Sequence, residues 1–200
     1  MVSDRGQIHT LEAFIAALLL IGALLFASQA TAVTPLSAST ANQHIENQQQ
    51  TVANDVLAIT AADGSLQDAL VHWNTSSDEG HFNGSHPGLQ HYTGIPPNDT
   101  PLYPALNQAF DAGVHAYNIE LRTADEEGEF DTTPMIYMGT PSDNAVTART
   151  TVTLNENDTT PENKTLAELA DSNDFWAEPH PDANGSTYTL VEVRMTVWRM

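Results

Sequence analysis

The apolar run from Leu11 to Val33, LEAFIAALLLIGALLFASQATAV, constrains this chain more than any other feature. After Glu12, no Asp, Glu, Lys or Arg appears until Glu46. At 1.5 Å per residue such a run reaches about 35 Å as a helix, against a hydrocarbon core of roughly 30 Å. A helix on a soluble core keeps one polar face, yet Ala13 to Ala27 is apolar all round. The run therefore reads as one transmembrane helix, and no second run of this kind follows it. That divides the chain into a short cytoplasmic segment (1–10), the membrane helix (11–33) and an acidic extracellular domain (34–200). Arg5 and the amino terminus are positive and Asp4 offsets one charge. With a long acidic domain on the other flank, the orientation expected is N-terminus inside and C-terminal domain outside.

Charge defines the rest. The chain holds 26 acidic residues against 6 basic ones, a formal net charge of -20, and Lys164 is its one lysine. Hydrophobic residues make up 40%, too many for a disordered acidic tail. A folded domain with such a skin repels itself unless salt screens it, over roughly 3 Å at 1 M. The composition therefore reads as adaptation to high salt. It argues against a nucleic-acid partner, since phosphate binding needs basic patches. The absence of cysteine removes disulfides, thiolate metal sites and CxxC chemistry.

Two processing signals flank the apolar run. Ala30-Thr31-Ala32 is an A-x-A pattern, the form of a secretory cleavage site that would release a soluble protein after Ala32. Before the run stand Arg5-Gly6-Gln7 and then Glu12. Here the chain resembles the archaeal class III signal peptides of type IV prepilins, which carry a basic residue and Gly, then Gln, then a Glu near the start of the helix. RGQIHTLEAFIAALLL also resembles the opening of an uncharacterised family of haloarchaeal pilin-like membrane proteins. The resemblance implies a prepilin peptidase cutting between Gly6 and Gln7, with the helix retained. Counted from Gln7, Glu12 is the sixth residue, where the family pattern usually has the fifth. Glu12 has two readings: a carboxylate favoured by the dipole at a helix start, or a filament contact that neutralises a neighbouring subunit's N-terminal amine.

The domain reads as α+β, with a long N-terminal helix packed on a small antiparallel sheet of about four strands, a pilin-like plan. Pro35 is a point for a kink or a new first turn. Ala41, Ile45, Val52, Val56 and Ile59 then fall on one helical face within 37–62. Asp63-Gly64-Ser65 is a stop, and a second helical piece covers 66–73. The Gly-, Pro- and Asn-rich stretch 74–104 reads as a long surface loop, and 103–112 as a short helix. Alternation predicts strands over 114–123, 134–139, 145–154 and 186–199, with a short helix near 166–170.

Six N-x-[ST] sequons are candidate glycan acceptors, Asn74, Asn83, Asn98, Asn157, Asn163 and Asn184, all in expected loops. His72, His81, His86 and His91 have no recognised ligand spacing and read as surface histidines. Asp125, Glu127, Glu129 and Asp131 alternate without the order of an EF-hand loop and read as a solvated turn. There is no G-x-S-x-G, H-E-x-x-H, P-loop or G-x-G-x-x-G. Trp73, Trp176 and Trp198 read as core or edge aromatics. The expectation is a non-enzymatic, cofactor-free, membrane-anchored surface protein, a pilin-like or pseudopilin-like subunit whose partners are the membrane, other such subunits and the peptidase. A plain signal-anchored binding protein and a secreted soluble protein are the alternatives.

Overall fold

In the computed structural model the N-terminal helix α1 runs Ser3–Asp63. The structure describes residues 3–76, 80–86, 88–110, 113–124, 129–172, 174–180 and 186–200, with the side chains of 3–8 and 29–42 outside that description. The helix is assigned straight through Pro35, so no new first turn opens there. The missing proline N–H removes one i→i−4 bond and leaves the rest of the ladder.

The chain forms two compact units, Met1–Ile45 and Glu46–Met200. The first is the apolar part of α1. Its segment His9–Ser28 is long and apolar enough to cross a membrane, and none of it is buried.

The second unit begins with the last turns of α1. Their buried face is Gln49, Ala53, Val56, Leu57 and Thr60, spaced as one helical stripe. This corrects the face drawn from sequence, because Ile59 is 62% exposed. Val52 and Val56 fit either stripe, and the sheet takes the side that ends at Thr60. Thr60 tolerates burial because its hydroxyl donates to the Val56 carbonyl at 2.7 Å. The stop falls where the sequence put it. Gly64 has φ 86°, a left-handed turn open to glycine, and Ser65 donates from N and Oγ to Asp63 Oδ1 at 2.9 and 2.6 Å.

After α2 (Ser65–Leu70) comes a two-stranded ribbon, β1 (Trp73–Asn74) and β2 (His81–Phe82), then α3 (Tyr103–Ala109). The four-stranded antiparallel sheet follows: β3 (His115–Ala124), β4 (Phe130–Tyr137), β5 (Val146–Asn155) and β6 (Thr187–Arg199), with α4 (Leu166–Ser172) before the last strand. Its order is β4-β3-β6-β5. The fold is thus α+β, as the strand count predicts. The ribbon interrupts what the sequence reads as pure loop, and Trp73 lies in it rather than in α2.

One sheet face carries the core. Tyr117, Ile119 and Leu121 of β3 and Val191, Val193, Met195 and Val197 of β6 are buried there together with Leu66, Leu70, Leu106 and Leu169 from the helices. A bulge between Ile119 and Glu120 shifts the register against β4. It lets the consecutive residues Met135 and Ile136 both be fully buried.

Candidate functional site

The apolar helix supplies one candidate. Within α1, Leu11, Phe14, Ile15, Leu18, Leu19, Ile21, Leu24 and Phe26 are each at least 50% exposed, on every side of the helix. Such a surface suits lipid or other apolar helices. Nothing lies within 4 Å of a Cβ built on Gly22, so that position leaves room for close helix approach. Glu12 stands at the start of this surface. Its Oε2 lies 3.7 Å from His9 Nδ1, one turn earlier, and both side chains are exposed. Gly6 and Gln7 fall inside the helical backbone, and their side chains lie outside the described residues. Ala32, the alternative cleavage point, is likewise helical in backbone.

The sequons divide by geometry. Asn98, Asn157 and Asn163 are exposed, and Asn163 has φ 59°. Asn74 and Asn83 are half-buried and tied together. Asn74 Nδ2 donates to Asn83 Oδ1 at 3.5 Å, and Asn83 Nδ2 lies 3.2 Å from His72 Nε2. Asn74 therefore sits in a strand and not in the expected loop. The ribbon puts the two asparagines next to each other, because Asn74 pairs His81, two residues before Asn83. Asn184 lies outside the described residues.

A polar knot joins two distant sequons. Glu162 accepts from Thr75 Oγ1 at 2.7 Å and Ser76 Oγ at 2.6 Å, and Lys164 Nζ donates to Thr75 Oγ1 at 2.7 Å. These hydroxyls, Ser76 foremost, hold the Glu162 carboxyl below the usual carboxylate range. Burial lowers His72, with Asp99 opposing. Asp99 is the acid that bears on His72, and the hydroxyls on Glu162 are its hydrogen-bond donors; no group of three metal-ligating side chains occurs among the described residues. Of the acidic turn, Glu129 and Asp131 are exposed, while Asp125 and Glu127 lie outside the described residues.

The outward face of the four-stranded sheet is the feature that sequence reading missed. Arg122 Nη1 meets Glu192 Oε1 at 3.0 Å and stacks over the Phe130 ring, 4.6 Å from its centroid. Arg194 lies 3.7 Å from Glu192 and 3.8 Å from Glu120. The Phe130 contact also explains why β4 starts earlier than expected, inside the acidic turn. An open groove of about 260 Å³ between α1 and α3, lined by Val52, Ile59, Ala105 and Ala109, has only Asp55 as a charged group.

A family model matches residues 5–197, which takes in both the apolar helix and the sheet domain. The chain belongs to a family of unknown function, DUF7288. Comparison with curated proteins and with solved structures finds no match.

Proposed function

We propose that this DUF7288 protein is a non-enzymatic, pilin-like subunit of the cell surface. The helix α1 anchors it, with the N-terminus inside and the sheet domain outside, in a cell living at high salt. One observation carries the reading. The exposed apolar segment His9–Ser28 holds one carboxylate, Glu12, near its start, and the helix that contains it ends as a core element of an antiparallel sheet domain. In lipid, a row of such helices gains from packing at small residues, and Glu12 gains from a cationic neighbour. The net charge of -20 supports the salt reading.

The mature N-terminus tests this. Mass spectrometry of protein recovered from membranes is expected to find a chain starting at Gln7. A chain starting at Met1 leaves a plain anchor, and one starting at Val33 in the medium overturns membrane retention. The His9–Glu12 pair favours the plain anchor as second reading, because it gives Glu12 a partner within its own helix.

A further inference from the structure

Alternate residues of each strand point away from the core. On that outward face, Glu120 stands opposite Arg194, and Arg194 stands opposite Arg149. In the next row, Arg122 stands opposite Glu192, and Glu192 opposite Thr151. Three of the chain's 6 basic residues thus meet on two rows of one face. Three guanidinium groups against two carboxylates leave these rows with one positive charge, on a chain whose net charge is -20. The surplus is Arg149. It is exposed and has no ion pair among the described residues. Its direct cross-strand neighbour is another arginine, an arrangement that disfavours the isolated sheet. Two outward rows further along, Leu190 is 51% exposed, opposite Thr153.

The other side of the same unit has the opposite sign. α4 buries Leu166 and Leu169 in the core. It and the stretch after it turn Glu168, Asp171, Asp174 and Glu178 to solvent.

We propose that the outward sheet face of one copy docks the acidic α4 side of a second copy, with carboxylates closing on Arg149 and Arg194. This rests on the subunit reading above. The two patches differ, so the contact is heterologous and repeats as an open series, one copy after another. Salt decides whether it forms. At low ionic strength two copies of charge -20 repel. At about 1 M salt the long-range repulsion is screened beyond roughly 3 Å, and the direct ion pairs remain.

The test uses the full chain in its own membranes. One variant carries a photo-crosslinking residue at Thr151, on the sheet face, and another carries it at Leu18, in the anchor. The Thr151 probe is expected to give a product of twice the chain mass, joined to a peptide containing Asp171. Arg149→Glu should lower its yield several-fold without changing the Leu18 product. Asp171→Arg with Asp174→Arg in the Arg149→Glu background should restore it. If the Leu18 product forms and the Thr151 probe gives none, or joins only a different protein, the docking is wrong and the subunit reading stands. An unchanged yield in Arg149→Glu also overturns the docking. Loss of both products overturns both readings.

Discussion

Trp73 Nε1 donates to the main-chain carbonyl of Asp174 at 2.8 Å, bridging residues 101 apart in sequence. The same indole packs edge-on against Phe82, centroids 5.1 Å apart. Gly80 completes the contact, since a Cβ there would stand 2.5 Å from Trp73 Nε1. The ring is 2% exposed and held on both sides, so it cannot swing away. Gly80→Ala is expected to cost about 1–3 kcal/mol by overpacking, and Trp73→Phe about 1–3 kcal/mol by orphaning the carbonyl and losing ring contacts. Denaturant unfolding of both variants measures this, and an unchanged midpoint for Gly80→Ala would refute the contact.

Tyr117 points its hydroxyl into the core with no hydrogen-bond partner among the described residues. Burial pushes the phenol far up. Because the hydroxyl is desolvated without compensation, Tyr117→Phe should leave stability unchanged or raise it by up to about 1 kcal/mol. A clear loss of stability would show that the hydroxyl has a partner.

His72 and Glu162 contribute to the acid limb of stability, beside the Asp63 and Glu168 carboxyls, which hydrogen bonds also hold low. His72 has a folded pKa below the ordinary 6.5, so the unfolded chain takes up the proton first. Its contribution is complete above 6.5 and declines as pH falls through that value. Glu162 is held below 4.5, so its contribution is present above 4.5 and is lost as pH falls further, through its folded value. Melting temperature against pH at constant ionic strength should therefore drop in two stages. His72→Gln should flatten the first and Glu162→Gln should lessen the second. Profiles that superimpose on the parent would exclude both assignments.

Glu12→Gln separates assembly from folding. The side chain is exposed and touches only His9 among the described residues, so the melting temperature of the sheet domain should not move. Co-purification with other subunits from membranes should fall. Unchanged co-purification would favour the plain anchor.

Glycan occupancy should follow the geometry of the sequons. Glycopeptide mass spectrometry is expected to find modification at Asn98, Asn157 or Asn163 ahead of Asn74 and Asn83, whose amides are already engaged. Glycans on Asn74 and Asn83 with the exposed three bare would contradict this.

The elements that sequence pattern predicts are those with long, regular burial. β6 alternates Val191, Val193, Met195 and Val197 inward without a break, and its bounds differ from expectation by one residue. Gly64 ends α1 where its turn chemistry says. The ribbon of β1 and β2 was not legible, because two residues give no period. Its existence depends on Trp73, Phe82 and Phe175 meeting across the fold. Nor was the arginine face: Arg122, Arg149 and Arg194 are 27 and 45 residues apart along the chain, and only the strand order β4-β3-β6-β5 joins them. The exposed apolar helix and the place of Glu12 on it were legible from the uncharged run in the sequence.

Each border of the sheet is engaged at a particular point. At β4, Tyr92 forms a parallel bridge to Ile136, receiving a bond from Tyr137 N at 2.8 Å and donating its own N–H to the Met135 carbonyl at 2.9 Å. At β5, Gln50 Nε2 donates to the Thr147 carbonyl. A sheet with free borders recruits further strands and is prone to cross-β growth. Here the backbone valences at those points are already spent, so crowding favours contact through side chains, which salt and single substitutions can reverse, over backbone pairing, which they cannot.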